Sequence, residues 1–206
     1  MGLTGSEISE AVHDAGWRYV LSSLCTSVAV PSAREAGTLA RRVLAIADHA
    51  EVDIRPGTVR LVLRPVTAGE IDLARRISEL VRELGYTPRP RDTQRLEIAI
   101  DALDAEAIVP FWRAVLDYAD GPNPPELIDP RGQGPAIWFQ RMDAPRPQRN
   151  RIHLDVSVPH DEAPDRIRAA LAAGGVLRSG EAAPAFWVLA DAEGNEACIT
   201  TWQGRD

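Results

Sequence analysis

An α+β chain in two parts is the fold class this sequence predicts. Residues 1–86 read as an αββαβα layer, residues 87–94 as a linker, and residues 95–206 as paired βαβββ modules forming a cupped sheet. Three observations lead there. The strand-like run Asn150-Arg-Ile-His-Leu-Asp-Val156 restarts, about fifty residues on, an order of elements that begins near Leu96. Such a long period with the same element order points to duplication rather than to a solenoid. The segment Tyr86-Thr-Pro-Arg-Pro-Arg-Asp-Thr93 puts two prolines among polar residues between two differently patterned halves. Finally, apolar residues recur at alternating and at helical spacing in turn along each half, which is how strands and helices announce themselves.

In the first half, Ser6–Ala15 is a short helix capped by Thr4 or Ser6. Trp17–Val30 is rich in β-formers and broken at Ser22-Ser23, so it is read as a hairpin. Pro31-Ser32 opens a helix in which Ala36, Leu39, Ala40, Val43 and Ala47 share a face. Val59–Leu63 is a strand after the Pro56-Gly57 turn, and Gly69–Leu84 is a helix burying Leu73, Ile77, Leu80, Val81 and Leu84, stopped by Gly85.

In the second half, Leu96, Ile98 and Ile100 alternate with Glu97, Ala99 and Asp101, the pattern of a half-buried strand. A helix carrying Ile108, Phe111, Trp112, Val115 and Leu116 follows, with Pro110 marking a late start or a kink. Asp104 and Glu106 sit at its start, where negative charge is favoured. After the loop Asp120–Pro125, strands are placed near Glu126–Asp129 and Ala136–Arg141. The pattern then repeats as strand Arg151–Val158, helix Ala163–Ala173, and strands near Val176–Arg178, Ala185–Ala190 and Ala197–Trp202.

A 45% hydrophobic fraction over 206 residues suits globular cores. The net charge of -7 argues against a nucleic-acid partner, which needs clustered basic charge. No apolar run approaches the roughly 20 residues that span a bilayer, so no membrane partner is expected. The first ten residues lack a charged segment followed by an apolar one, so a cytoplasmic protein is the expectation. All 23 basic residues are arginine, which removes lysine Schiff-base chemistry. Cys25 and Cys198 show no metal-like spacing and are read as thiols rather than a bridge. His13 and His160 fall in surface segments and carry no signal.

The runs Leu103-Asp-Ala-Glu-Ala-Ile-Val-Pro-Phe-Trp112, Phe139-Gln-Arg141, Asn150-Arg-Ile-His-Leu-Asp155 and Glu193-Gly-Asn-Glu-Ala-Cys198 resemble a glyoxalase-like domain of the vicinal-oxygen-chelate superfamily. The resemblance implies two βαβββ modules around a cup whose concave face commonly holds a divalent metal that chelates neighbouring oxygens of a substrate. Carried over by position, its four sites are Glu97, Gln140, His153 and Cys198. Trp138, Asp155 and Thr200 share those faces by the two-residue step of a strand and complete the expected ligand pocket. Gln140 is a weak ligand and Cys198 a soft one that would favour zinc over magnesium or manganese, so only Glu97 and His153 are ordinary ligands. The metal site is therefore degenerate: no cofactor is the expectation, and a divalent metal on Glu97, His153 and Cys198 is the alternative. Each of these residues also has a plainer reading. His153 can simply pair with Asp155, Cys198 can be a small core residue, and Trp138 and Trp187 can pack a core.

In the first half, Gly16-Trp-Arg18, Ala47–Gly57, Val59–Leu63 and Asp72–Ile77 resemble a pterin-4a-carbinolamine dehydratase domain. That family forms dimers or tetramers, so a homo-oligomer is implied, and it dehydrates a hydroxylated pterin with clustered histidines. Its His-His-Pro motif reads Asp48-His49-Ala50 here, and no histidine follows the strand, so His49 is a remnant and the dehydratase activity is expected to be lost.

The leading expectation is a protein that binds a small organic molecule in the C-terminal cup. The alternatives are a metal-dependent lyase, isomerase or dioxygenase acting on a vicinal-oxygen substrate, and residual pterin binding by the N-terminal domain.

Overall fold

The computed structural model describes residues 3–145 and 152–204. The chain forms two compact units, Met1–Arg95 and Leu96–Asp206, each with its own apolar core. Among the described residues no helix is long and apolar enough to cross a membrane.

The first unit runs α1 (Gly5–His13), β1 (Arg18–Val20), β2 (Ser23–Ala29), α2 (Ala33–Leu44), β3 (Glu51–Arg55), β4 (Thr58–Leu63) and α3 (Ala68–Glu83). Its helix starts follow local chemistry. Thr4 and Glu7 form a reciprocal capping box on α1, Ser32 caps α2 and Thr67 caps α3, each satisfying amides that the first helical turn leaves unpaired. Leu21 and Ser22 both take positive φ in the two-residue turn between β1 and β2, which matches the twist of a tight hairpin. The sheet order is β1-β2-β4-β3. This is one strand more than the sequence reading: β3 pairs along β4 from Glu51↔Val62 to Arg55↔Thr58.

Leu24, Val28, Val59, Leu61 and Leu63 turn one sheet face into a core with Leu39, Val43, Ala74 and Ile77 from the helices. Trp17 lies at its centre, fully buried, with its indole N–H donated to Ser78 Oγ at 2.9 Å. Residues 87–94 do not hang free. Pro88 bridges Val28, the Arg89 amide donates to the Ser27 carbonyl, and Pro90–Asp92 makes one turn of 3-10 helix.

The second unit contains β5 (Glu97–Ala102), α4 (Ala105–Leu116), β6 (Ala119–Asp120), β7 (Glu126–Ile128), β8 (Ala136–Arg141), β9 (Leu154–Ser157), α5 (Ala163–Ala172), β10 (Val176–Ser179), β11 (Phe186–Ala190) and β12 (Glu196–Thr200). The short β6 is the first of the three strands that follow the helix in the first βαβββ module. The two sheets have the same topology, β5-β8-β7-β6 and β9-β12-β11-β10. In each, the first strand pairs in parallel with the fourth and the other pairs are antiparallel. The expected start of the repeat strand at Asn150-Arg151 lies outside the described residues, and β9 begins at Leu154.

Helix α4 starts at Ala105 on its Asp104 cap and runs through Pro110. The missing proline N–H costs the rung to the carbonyl of residue 106, one turn earlier. Phe111 and Trp112 from α4 meet edge to face at 5.4 Å. They share one core with Ala163 and Ala170 of α5, Leu127 and Ile137 of the first module, and Leu189 and Ile199 of the second.

A cluster of hydrogen bonds adds to this shared core. The turn between β11 and β12 places the Asp191 carboxylate, 2% exposed, where it accepts from Trp112 Nε1 at 2.9 Å, the Glu193 and Asn195 amides at 3.0 and 2.9 Å, and Asn195 Nδ2 at 2.8 Å. From the same turn Glu193 accepts the amides of Leu103 and Asp104 at 2.9 and 2.8 Å. A carboxylate at a helix N-terminus meets both unpaired amides and the positive end of the helix dipole.

Candidate functional site

The outer face of the second module's sheet follows from strand parity. Leu154 and Val156 of β9, with Ala197 and Ile199 of β12, point into or pack against the core. Their neighbours Asp155, Ser157, Cys198 and Thr200 therefore point the other way. The parallel register sets Asp155 beside Cys198 and Ser157 beside Thr200. The antiparallel register sets Val188 beside Cys198 and Phe186 beside Thr200. His153 precedes β9 but keeps the parity of Asp155, and its Nε2 lies 3.3 Å from Asp155 Oδ1.

The result is a cluster. One imidazole nitrogen, one carboxylate oxygen and the Cys198 sulfur all lie within 4.8 Å of one another. Cys198 is buried, while His153 and Asp155 are exposed. The sulfur thus forms a floor, with the other two donors at the rim. Beside it the Ser157 and Thr200 hydroxyls hydrogen-bond at 2.8 Å. Three donors of N, O and S type fit a divalent ion of the zinc kind, for which three protein ligands and an open position are the catalytic norm. A thiolate disfavours magnesium and calcium.

The other predicted residues lie on the first module. Glu97 of β5 faces outward with Ala99 and Asp101, and the register pairs Ala99 with Trp138 and Asp101 with Gln140 of β8. Glu97 is not among the three clustered donors; Asp155 stands with His153 and Cys198 instead. Gln140 Nε2 donates to the neighbouring Arg141 carbonyl at 3.5 Å. Trp138 is exposed, whereas Trp187 packs against the core.

In the first unit, His49 Nε2 lies 3.4 Å from Glu70 Oε1, and its Nδ1 lies 3.6 Å from Asp48 Oδ1. The Thr67 hydroxyl, donated to Glu70, is the main reason that this carboxyl is held below its usual range. Cys25 is a core thiol, pushed up by burial, and no disulfide joins it to Cys198.

The sequence places Asp155 in the pocket but not in the donor set, passes over Ser157 and Phe186, and uses the turn before Cys198 only for the family resemblance. Parity from His153 alone marks 155 and 157. The register that brings them beside Cys198 and Thr200 joins positions 43 residues apart.

Residues 97–200 match a family model described as a glyoxalase-like domain. The match begins at residue 97, so the dehydratase resemblance of the first unit finds no support in it. No curated protein matches the chain. Among solved structures, it is similar to a hypothetical protein from S. aureus at 13% identity, covering 53% of this chain and 94% of that one, with a TM-score of 0.43. A glyoxalase-related enzyme from Fulvimarina pelagi shares 21% identity over 53% of this chain and 88% of that one, with a TM-score of 0.41. A glyoxalase/bleomycin resistance protein/dioxygenase family enzyme from Burkholderia phytofirmans shares 17% identity over 51% of this chain and 95% of that one, with a TM-score of 0.39. Scores this low say nothing about function.

Proposed function

Because this chain belongs to the glyoxalase-like domain family, we propose that its C-terminal unit binds a small organic molecule on the outer face of the second module, with an oxygen-bearing head seated at His153, Asp155 and Cys198. The observation that carries this reading is the convergence of those three donors from two strands and the residue before one of them. Nothing in the packing of the core requires an imidazole and a carboxylate on this face. The hydrophobic work of β9 and β12 is done by the opposite parity.

The ordinary ligands legible in the sequence numbered two, which favoured a site without metal. Asp155 takes the place of Glu97 beside His153, so the set stays at two ordinary ligands and one thiol, now within reach of a single ion. Such an ion, when bound, supplies Lewis acidity to an oxygen of the ligand. The chain's own residues then divide the labour. Cys198 holds the buried side, His153 and Asp155 fix the rim, and the Ser157–Thr200 hydroxyls offer hydrogen bonds to the part of the ligand beyond the head. The reading stops at binding; lyase, isomerase or dioxygenase chemistry would need the same seat.

A metabolite screen by thermal shift tests it. A ligand present at 100 times its Kd raises stability by about 2.7 kcal/mol, so hits are expected as clear rises in Tm. These rises should vanish in both His153→Ala and Asp155→Ala. Hits that keep their full shift in both variants would place the ligand elsewhere and end the proposal.

A further inference from the structure

We infer that the molecule bound at this site carries a flat aromatic ring, which lies over the Ser157–Thr200 hydroxyls between Phe186 and Trp202. This rests on the binding site proposed above and adds the chemical class of its occupant. Ser157 and Thr200 lie two residues along both strands from Asp155 and Cys198, on the same face, or about 7 Å away at the rise of a strand. Around them is a hollow of about 380 Å³ lined by Ser157, Val158, Pro159, Thr200, Thr201 and Trp202, a size within the range of small-molecule sites.

Two large aromatic side chains flank this hydroxyl pair and leave much of their surface in solvent. Phe186 is in register with Thr200 and is 37% exposed, and Trp202, 62% exposed, lines the hollow itself. Trp202 is not left to swing. Its indole N–H is donated to His160 Nδ1 at 3.3 Å, and the two rings meet at 5.5 Å nearly edge to face. With the N–H so engaged, the indole has its π surface left to offer, and a flat ring is the ligand group that gains most from it. The sheet pitch then fixes the spacing between the polar head and the ring.

The test uses the full-length protein loaded with zinc and two probes sharing one chelating head, acetohydroxamate and 2-naphthohydroxamate, titrated by calorimetry. The naphthyl probe is expected to bind at least about tenfold tighter, from ring stacking and apolar burial. Trp202→Ala and Phe186→Ala should each remove about fivefold or more of that advantage, while leaving acetohydroxamate affinity unchanged. Equal affinities for the two probes, or an advantage that survives both substitutions, overturn the ring assignment and leave the head-group site standing. Binding of neither probe overturns both. A wild-type dimer that Trp202→Ala converts to monomer would show the aromatics to be covered by a second copy, and would likewise overturn the assignment.

Discussion

Asp191→Ala is expected to destabilise the second unit by about 3 kcal/mol or more, since each buried donor left without an acceptor costs about 1–3 kcal/mol. The carboxylate accepts four hydrogen bonds, from the Trp112 indole, the Glu193 and Asn195 amides, and the Asn195 side chain. Alanine would leave those donors without an acceptor in a place almost closed to water. It would also loosen the turn that presents Glu193 to the first amides of α4. Trp112→Phe, which deletes a single donor and keeps most of the ring, should cost only about 1 kcal/mol. Hydrogen exchange at the α4 amides reads the effect where it arises. A loss for Asp191→Ala no larger than that for Trp112→Phe would mean that the turn is ornament rather than a clasp between the modules.

Trp17→Ala should be of similar size in the first unit, about 3–5 kcal/mol, the usual range for emptying a buried aromatic site. Trp17 is fully buried, and its neighbours come from helices and sheet alike, so the cavity has little freedom to collapse. The substitution also deprives Ser78 Oγ of the indole donor; that oxygen lies 2.6 Å from the Ala15 carbonyl and 3.0 Å from that of Ala74. Amide exchange along β2 and β4 should accelerate accordingly. If those amides keep wild-type protection, Trp17 is not the centre of that core.

Much of the architecture is legible in the sequence where local chemistry decides it. Thr4 and Ser32 mark helix starts by the hydrogen bonds they make, and the Leu96–Asp101 alternation marks β5 by its two faces. What escaped is short or long-range. Strand β3 has only Val52 and Ile54 as apolar members, at the edge of its sheet, and β6 is two residues long. Neither has enough pattern to be seen alone; pairing partners create them. Pro110 argues against a helix through it, yet the packing of Ile108, Phe111, Trp112 and Val115 outweighs one lost rung.

The candidate site divides in the same way. Parity along β9 ties Asp155 to His153, which is a local fact. That position 155 meets Cys198, and that Glu97 is not in the same group, depends on a strand register that no local signal encodes. The clasp is equally non-local, since Asp191 and Trp112 lie 79 positions apart.

The most direct test of the account is a cobalt titration of the metal-free protein followed by absorption, because cobalt substitutes for zinc and reports its own ligands. Binding of one equivalent with a sulfur-to-cobalt charge-transfer band is expected. That band should be lost in Cys198→Ser but kept in Cys25→Ser, and binding should weaken at least tenfold in His153→Ala. No saturable binding, or a band that survives Cys198→Ser, would contradict the claim that His153, Asp155 and Cys198 make one site.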